Sequence, residues 1–435
     1  MNMQTTEKEI ERSFLVGVIL PRQTDEEGRE SFWSVTEETL EELAGLAEAA
    51  DTEVVGELVQ RRNRPDPATY IGSGKVEELK GYVEKTGANV VIFDNDLAPG
   101  QTRNLEKALD CKVIDRTELI LDIFASRAQT KESRLAVELA QLEYSLPRLK
   151  RMWTHLSRQK KGVGLRGPGE KQLEVDRRLA QKRIADLKAE LAEVQQRKER
   201  EVASRNETRT VSLVGYTNAG KSTLMNALTG ADVFVKDQLF ATLDTRTRRW
   251  TLPGWGPILL SDTVGFVRNL PHHLVASFRA TLEEARCADL LLHVADGGNP
   301  MALFQIQAAY EVLEQIGIHA KDTLLVINKV DTITDPFRLQ AILNQYPQAI
   351  SISAASGEGL ERLAQAVSDQ LSRDFPTVKV EMPITNGRLL AYLAKYGEVF
   401  SRQYTEEGRV LVKCRIAEAF LGKIREAEVT LTRLE

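Results

Sequence analysis

Eight consecutive residues near the middle of this 435-residue chain constrain its fold more than any other feature. They run from Gly215 to Ser222, read G-Y-T-N-A-G-K-S, and stand between an apolar run at 211–214 and a helix-like run at 223–228. The glycines at 215 and 220 let the backbone wrap closely, so that successive N–H groups point at an anion at the start of the helix. The pattern therefore predicts a strand, a phosphate-binding loop and a helix within an α/β fold.

The same loop supplies candidate catalytic groups. Lys221 is expected to reach the β- and γ-phosphates of a nucleotide, and the Ser222 hydroxyl is expected to ligate Mg²⁺. A glycine-rich turn with an incidental lysine is the plain alternative, but the spacing, both glycines and the Lys-Ser pair agree with the phosphate loop. The predicted nucleotide contacts here are Gly215, Tyr216, Thr217, Asn218, Ala219, Gly220, Lys221, Ser222 and Thr223.

A D-x-x-G motif follows the next apolar run, at 258–261. Asp262 is predicted to hold Mg²⁺ through water, and Gly265 to offer its N–H to the γ-phosphate. Thr263 and Val264 complete the predicted contacts of this motif. Lys221 and Gly265 are expected to act directly in catalysis, together with Thr242 of the segment described below.

An N-K-x-D motif predicts which base is bound. It comprises Asn328, Lys329, Val330 and Asp331, after an apolar run at 324–327. The Asp331 carboxylate can accept hydrogen bonds from N1–H and the exocyclic amine of guanine, a pattern that adenine does not offer, so GTP is the expected substrate. A last strand at 349–352 leads to Ser353, Ala354 and Ala355, which are predicted to lie behind the base. That contact is expected to be weak, because Ala355 replaces the commoner lysine.

The segment between the loop and D-x-x-G is predicted to be a nucleotide-dependent switch. It reads Phe240, Ala241, Thr242, Leu243 and Asp244. Thr242 is the predicted ligand of Mg²⁺ and the γ-phosphate, and Thr245 and Thr247 are alternatives. A segment ordered only by a γ-phosphate changes conformation when hydrolysis removes that phosphate.

Phe266 follows D-x-x-G at the position where many GTPases carry the glutamine that orients the attacking water. A phenylalanine side chain has no group that orients water. Intrinsic hydrolysis is therefore expected to be slow and to be raised by a partner that rearranges the switches. A buried aromatic that anchors the second switch is an alternative role, compatible with the first.

Composition favours a cytoplasmic protein. The net charge is −5 and 42% of residues are hydrophobic. Cys111, Cys287 and Cys414 are odd in number, far apart and without metal-ligand spacing, which is typical of reduced thiols. The first 12 residues are polar and unlike a signal peptide, and no apolar run reaches the ~18 residues that span a membrane.

The elements along the chain predict four regions. They are an N-terminal α/β domain (1–128), a helical hairpin (129–207), a G domain (208–375) and a small C-terminal α/β domain (376–435). Strands at 14–20 and 89–93 with a helix at 36–50 support the first, and strands at 378–382 and 410–416 with a helix at 388–396 support the last. Gly72-Ser73-Gly74-Lys75 resembles a second phosphate loop, but Thr69 stands where a glycine is required. A turn before a helix at 76–79 is preferred there, and a second nucleotide site remains the alternative.

Two apolar seams predict the antiparallel hairpin. The first comprises Leu135, Leu139, Leu142, Leu146, Leu149 and Trp153, and the second, on a helix at 171–200, comprises Ile184, Leu187, Leu191 and Val194. Such spacing marks helices that pack on a partner. Pro147 predicts a kink or break near Tyr144. The tip, Lys161–Glu170, carries four glycines and a proline.

Charge concentrates around this tip. Between Arg148 and Arg183 there are twelve Lys or Arg and three acidic residues, a net charge of +9 in a chain of −5. Basic residues around a thin glycine-rich loop, with Trp153 and His155 available to stack, predict contact with folded RNA. A solvated, charged hairpin remains the alternative.

Four strings resemble the HflX family of translational GTPases, and the resemblance covers roughly the whole chain. They are G-V-G-L-R-G-P-G-E-K-Q-L-E-x-D-R-R (Gly162–Arg178), G-Y-T-N-A-G-K-S-T-L (Gly215–Leu224), L-F-A-T-L-D (Leu239–Asp244) and D-T-V-G-F-V-R-N-L-P (Asp262–Pro271). Two residues depart from the family pattern: Thr245 follows L-D in place of a common proline, and Ala355 replaces lysine. Neither removes a group that binds phosphate, Mg²⁺ or guanine.

The resemblance implies a Mg²⁺-dependent GTPase that binds the large ribosomal subunit and its RNA through Gly162 to Arg183. It also implies insertion of the hairpin toward the peptidyl-transferase region and separation of stalled or idle subunits under stress. Family members are also described as hydrolysing ATP, which Asp331 disfavours here unless a second site exists. An assembly GTPase of the large subunit and a nucleotide-gated RNA-binding module are the alternatives. No apolar surface seam outside the hairpin requires a dimer, so a monomer is expected.

Overall fold

The computed structural model describes most of the chain and divides it into two compact units. The described residues are 11–21, 37–152, 168–203, 209–230, 239–240, 243–252, 256–268, 284–315, 317–318, 323–372, 375–405, 408–416, 418–424 and 429–434. The first unit takes its described residues from Met1–Arg200, Lys236–Asp244 and Val267–Thr281. The second takes them from Glu201–Val235, Thr245–Phe266 and Leu282–Glu435. Two short segments from the middle of the chain therefore belong to the N-terminal unit.

The first unit is built on a parallel four-stranded sheet with the order β2-β1-β3-β4. Its elements are β1 (Arg12–Ile19), α1 (Glu37–Ala49), β2 (Glu53–Arg61), α2 (Ser73–Thr86), β3 (Val90–Phe93), α3 (Pro99–Leu109), β4 (Lys112–Asp115) and α4 (Arg116–Arg127). Strands β1 and β3 are continuous runs of buried residues, which is typical of a parallel sheet covered on both faces. The predicted N-terminal α/β fold is confirmed.

Helix α2 begins at Ser73, three residues before the predicted start at 76. Gly72 is its N-cap in an ordinary extended conformation, and Lys75 lies in the first turn, where its ammonium is 2.8 Å from Glu78 Oε2. The glycine-rich string is thus the beginning of a helix.

Two long helices follow, α5 (Lys131–Met152) and α6 (Pro168–Ala203). The predicted seams meet: Leu135, Leu139 and Leu187 are buried together, with Leu142, Ile184 and Leu191 packed on them. Cross-helix ion pairs flank the seam, from Arg183 to Glu138 and from Lys188 to Glu143, each at 2.7 Å. Helix α5 continues through Pro147, so the chain does not break there, and the alternative of a kink near Tyr144 stays a prediction. A proline removes one backbone hydrogen bond, and the packing of the helix outweighs that loss.

The second unit contains a six-stranded sheet with the order β10-β9-β8-β5-β7-β6, parallel except for β6. Its elements are β5 (Thr210–Gly215), α7 (Lys221–Thr229), β6 (Arg246–Leu252), β7 (Gly256–Asp262), β8 (Leu290–Asp296), α8 (Ala302–Gln315), β9 (Thr323–Asn328), α9 (Pro336–Gln345), β10 (Ile350–Ser351) and α10 (Leu360–Ser372). Because β5, β7, β8 and β9 are parallel, their carboxyl ends lie along one edge of the sheet. The predicted nucleotide motifs follow these ends, which is the edge where ligands bind in open α/β sheets.

The same unit ends in an antiparallel sheet with the order β12-β13-β11-β14. Its elements are β11 (Thr377–Pro383), α11 (Gly387–Tyr396), β12 (Gly397–Tyr404), β13 (Arg409–Ile416), α12 (Glu418–Leu421) and β14 (Thr430–Leu434). Apolar residues of β11 and β13 pack on Leu389 and Leu393 of α11. Among the helices that the structure describes, none is long and apolar enough to cross a membrane.

Candidate nucleotide-binding site

The loop after β5 requires glycine at two positions. Gly215 has φ +140°, and a Cβ there would lie 2.1 Å from the Val294 carbonyl oxygen. Gly220, the N-cap of α7, has φ +86°, and a Cβ there would lie 2.3 Å from Asn328 Nδ2. Any side chain at these positions would clash and also adopt the left-handed region that L-residues avoid. The two glycines are therefore fixed by the close approach of neighbouring strands.

Lys221 is held over this loop by the backbone it follows. Its ammonium donates to the carbonyls of Gly215 at 3.0 Å and Tyr216 at 2.7 Å. Burial lowers the pKa of Lys221 to about 8, and the nearby Asp262 carboxylate opposes that shift. A bound phosphate adds negative charge beside the ammonium and so favours its charged form.

Ser222 and Asp262 meet at the expected metal position. The Ser222 hydroxyl donates to Asp262 Oδ2 at 2.6 Å, and Asp262 is the fully buried last residue of β7. A hydroxyl and a carboxylate are hard oxygen donors of the kind that Mg²⁺ prefers, so these residues fit the ion. The third predicted ligand, Thr242, lies with Ala241 outside the described residues.

The D-x-x-G segment lies directly against the phosphate loop. Phe266 N–H donates to the Gly215 carbonyl at 2.9 Å, and Thr217 N–H donates to the Phe266 carbonyl at 2.7 Å. A Cβ on Gly265 would lie 2.8 Å from Thr217 Cα and 2.9 Å from Lys221 Nζ. Since Gly265 sits this close to Lys221, its absence of a side chain is a steric requirement of the site. Thr263 is anchored beneath by a hydrogen bond from its hydroxyl to the Leu213 carbonyl at 2.7 Å.

The Phe266 side chain is 3% exposed and packs among Val214, Tyr216, Ala285 and Leu291. The expectation of a buried aromatic anchor is confirmed. The residue that replaces the water-orienting glutamine therefore contributes its backbone to the site and its ring to the core.

Asn328, in the N-K-x-D motif, connects the phosphate loop to the Ser353–Ala355 segment, two regions that the sequence predicted separately. Its amide donates to the Ala219 carbonyl of the phosphate loop at 2.9 Å, and its Oδ1 accepts from Ala354 N–H at 2.9 Å. Buried Ser353 and Ala354 are thereby brought to the same edge as the phosphate loop, whereas Ala355 is exposed. This bridging role of Asn328 was not predicted, because the motif marks the residue without indicating its partners.

Two residues that are predicted to recognise the base, Lys329 and Asp331, are accessible to solvent, in contrast to the buried Asn328. Lys329 adopts φ +60° and pairs with Asp296 Oδ2 at 2.8 Å, and Asp296 ends the neighbouring strand β8. The short 3-10 helix Val330–Thr332 then presents Asp331, which is exposed. An exposed carboxylate at the rim of the site can accept hydrogen bonds from a base without a rearrangement of the core.

Two residues of the predicted switch, Phe240 and Asp244, contact other residues of the first unit. Phe240 is buried at φ +56° with its ring edge-on to Phe124, the centroids 4.6 Å apart. Asp244 accepts from the Thr130 hydroxyl at 2.7 Å and from the N–H groups of Gln129 and Thr130 at 3.1 and 3.3 Å. Asp244 thus binds the residues that directly precede α5, while Leu243 beside it is buried. Neither contact follows from any local sequence signal.

Sequence reasoning also missed a buried ionic cluster in the first unit, formed by Glu42, Asp94, Arg116 and Arg268. Arg116 donates to Asp94 at 2.7 Å and to Glu42 at 2.6 Å, and Arg268 donates to the second oxygen of Asp94. The Arg268 backbone is held as well, since its N–H donates to Glu42 and its carbonyl accepts from Arg116, each at 3.3 Å. The cluster contains two positively and two negatively charged side chains, so its formal net charge is zero. Arg268 stands three residues after Gly265, so this cluster fixes the chain that leaves the D-x-x-G motif.

Four protein-family models match successive parts of the chain. They are described as "GTP-binding GTPase N-terminal" (residues 37–125), "GTP-binding GTPase Middle Region" (127–205), "50S ribosome-binding GTPase" (210–329) and "HflX C-terminal domain" (339–426).

Individual proteins match over nearly the whole length. The GTPase HflX of Escherichia coli (strain K12) is 46% identical over 382 residues, which are 87% of this chain and 90% of that protein. The GTPase HflX of Lacrimispora saccharolytica is 43% identical over 404 residues, 92% of this chain and 93% of that protein. Among solved structures, a GTP-binding protein from Sulfolobus solfataricus in complex with GDP aligns with a TM-score of 0.45 and 25% identity, covering 84% of this chain and 99% of that one.

Proposed function

The chain belongs to the HflX family of GTPases, and we propose that it binds the large (50S) ribosomal subunit through its basic hairpin and dissociates stalled or idle ribosomes under stress. In this proposal the ribosome stimulates GTP hydrolysis, and the protein acts as a monomer in the cytoplasm, where ribosomes are. The observation that carries it is the +9 segment from Arg148 to Arg183 in a chain whose nucleotide domain matches a family described as ribosome-binding.

The described parts of the hairpin support a rigid arm. Its two helices are joined by the buried leucine seam and by the Arg183–Glu138 and Lys188–Glu143 pairs. Lysine and arginine contacts to phosphates supply much of the affinity for nucleic acid. The tip residues 161–167, with Trp153 and His155, lie outside the described residues, so RNA contact there is part of the proposal.

In hydrolysis, the chain's own groups bind and orient the substrate. Lys221 and the backbone N–H groups at the start of α7 face the phosphates and stabilise negative charge on them. Asp331 accepts from guanine, and Ser222, Asp262 and Thr242 would hold the metal. When bound there, Mg²⁺ neutralises charge that develops on the phosphate oxygens. Gly265 offers its N–H at the γ-phosphate position.

At the position where many GTPases carry the glutamine that orients the attacking water, this chain has Phe266. Phe266 is buried in the core and has no polar atom on its side chain. A contact with the ribosome that rearranges the switch segments would supply or position the group that orients water. We therefore expect slow turnover by the free protein and faster turnover on the large subunit.

The two switch contacts in the first unit provide a route from the nucleotide to the hairpin. Thr242 is two residues before Asp244, which binds the start of α5, and Gly265 is three residues before Arg268, which lies in the ionic cluster. A change in either switch segment on hydrolysis would act on these contacts. Because coupling is reciprocal, ribosome binding at the hairpin would act back on the nucleotide site.

The first test measures GTP hydrolysis with and without purified large subunits, and the conversion of intact ribosomes to subunits in a sedimentation gradient. Wild type is compared with a variant whose Gly162–Gly169 loop is replaced by a short Gly-Ser loop, and with Lys221→Ala. We expect the hairpin variant to lose stimulation and splitting but to keep its basal rate, and Lys221→Ala to lose nucleotide-dependent binding.

Stimulation that survives in the hairpin variant would contradict a role of the hairpin in triggering hydrolysis. Stimulation without conversion of ribosomes would favour a GTPase that assists large-subunit assembly. A rate that the large subunit leaves unchanged would favour a nucleotide-gated RNA-binding module, an interpretation to which the burial of Phe266 gives specific support.

A further inference from the structure

The C-terminal antiparallel sheet has one covered face and one open face. The covered face carries the apolar residues of β11 and β13 that pack on α11, among them Val380, Val412 and Leu393. The alternate residues of the same strands point away from that core, because side chains alternate across a sheet. The binding properties of the open face therefore depend on the residues that it exposes to solvent.

The strand register brings four residues into one row across this open face. Ser401 of β12 is opposite Lys413 of β13, Lys413 is opposite Lys379 of β11, and Lys379 is opposite Thr432 of β14. All four residues are exposed. With neighbouring strands ~4.8 Å apart, the row is about 14 Å long. We call these four residues the lysine row.

The lysine row carries unbalanced charge. Like charges directly opposite each other in a sheet destabilise the pair, yet Lys379 and Lys413 face each other in the two central strands. Neither ammonium has an ion-pair partner among the residues that the structure describes. By contrast, Glu381 of the adjoining row, opposite Leu411, pairs with Arg409 at 2.7 Å. The two lysines thus place two positive charges without an ion pair in the middle of the described face.

A cation and an aromatic ring adjoin the row on its other side. The Arg415 guanidinium lies 5.4 Å from the centre of the Phe400 ring, and its contact with Glu398 is long, at 3.9 Å. Phe400 is 45% exposed and sits where the β12 register shifts by one residue. An irregularity of this kind redirects a side chain, here toward the cationic side of the sheet.

We propose that the lysine row, with Arg415 and Phe400 beside it, binds the phosphate backbone and bases of single-stranded RNA. Ammonium groups are donors to phosphate oxygens, the flanking Ser401 and Thr432 hydroxyls add hydrogen-bond donors, and Phe400 offers a surface on which a base stacks. An open sheet face with a stacking aromatic is an established way of holding unpaired bases. This is a second RNA contact, independent of the hairpin and of ribosome splitting.

The test uses the full-length protein carrying Lys379→Gln and Lys413→Gln together. Affinity for a short fluorescent single-stranded RNA is measured by anisotropy across a salt series, in the wild-type background and in the hairpin-loop variant. We expect about tenfold weaker binding. The slope of log K against log salt should be shallower by about 1.4, because each phosphate that is no longer neutralised by a lysine changes the slope by ~0.7. Phe400→Ala should weaken binding with an unchanged slope, because stacking releases no counterions.

A matched control removes the same charge elsewhere. Lys85 and Lys107 are exposed on helices of the first unit, and their double Gln variant should bind RNA as wild type does. Folding is checked by thermal melting and basal GTP hydrolysis. Removal of two opposed lysines should leave the melting temperature equal or higher.

RNA affinity and salt slope that are unchanged in the lysine-row variant, in both backgrounds, would overturn the proposal. So would weaker binding to purified large subunits with unchanged binding to naked RNA, which would identify an acidic protein as the partner. Because the readout is naked RNA, these results are independent of whether the hairpin variant loses stimulated hydrolysis.

Discussion

At the residue scale, we predict that base specificity depends on one exposed carboxylate, that of Asp331. Asp331→Asn replaces an oxygen that accepts from guanine by an amide that donates, so we expect GTP affinity to fall by about 100-fold or more. Xanthosine triphosphate carries a carbonyl where guanine has its amine, and it should become the better ligand. Competition binding with GTP and xanthosine triphosphate measures this change of base preference.

Thermal melting of the nucleotide-free variant is the control for this change, and it should match wild type because Asp331 is exposed. GTP binding retained at wild-type strength would contradict the assignment of the base site to this motif.

A second residue-scale prediction concerns pH. Burial first, and then the charges of Asp115 and Asp122, raise the pKa of Glu118 from 4.5 to about 7. An acid whose pKa is higher in the folded state binds more protons there, so its contribution to stability falls as pH rises from 4.5 to about 7. Glu118→Gln should therefore stabilise the protein above pH 7, by about 1 to 2 kcal/mol after allowance for solvent screening, and leave it nearly unchanged at pH 5.

Chemical denaturation at pH 5 and pH 8, followed by a probe in the first unit, measures this difference. The burial of Asp115 and Asp122 raises their pKa values too, so part of the pH dependence should persist in the variant. An equal effect of the substitution at both pH values would contradict the assignment to Glu118.

At the scale of elements, the start of α5 depends on a residue more than a hundred positions away. Asp244 accepts the Thr130 hydroxyl and two backbone N–H groups there. Asp244→Ala should reduce the preference of the protein for large subunits in the GTP state over the GDP state by about tenfold, a typical coupling of ~1.4 kcal/mol. Pelleting with large subunits in each nucleotide measures the preference.

Asp369→Ala serves as the matched control for this change. Asp369 is an exposed acid on α10, hydrogen bonded to Gln365 within its own helix. If both variants changed the preference equally, the contact at α5 would have no special part in the coupling.

At the scale of the whole molecule, four charged residues from distant parts of the chain form one buried ionic cluster. They are Glu42, Asp94, Arg116 and Arg268. Asp94→Asn leaves Arg116 and Arg268 facing a single carboxylate, Glu42, in a buried setting. Removing one member of a buried ion network costs about 3 to 5 kcal/mol, so we expect a large loss of stability in the first unit. Arg268→Met removes a cation instead and leaves the Arg116–Asp94 pair intact, so it should cost less.

Hydrogen exchange of the β1 and β3 amides reports on the first unit separately from the rest of the chain. Arg268→Met should also alter ribosome-stimulated hydrolysis, because it removes the side-chain contact that helps to hold the chain after Gly265. A stable variant with wild-type stimulation would limit the cluster to a structural role.

The sequence by itself determined the site motifs and the α/β class. The phosphate loop, D-x-x-G and N-K-x-D are short strings whose chemistry depends on local backbone geometry, and each follows a strand that its apolar pattern predicts. The Ser222–Asp262 meeting was predictable for the same reason, since parallel strands bring their carboxyl ends to one edge. The leucine seams of α5 and α6 were equally predictable, because helical periodicity is local.

The tertiary structure alone decided what the residues between the motifs do. It brought Asp244 into contact with Thr130 and paired Asp94 with Arg268, residues 174 positions apart. It also set the register that opposes Lys379 and Lys413. Residue pairs that are so far apart in the sequence cannot be recognised from periodicity or spacing. The packing of whole elements determines them, and not the neighbouring residues along the chain.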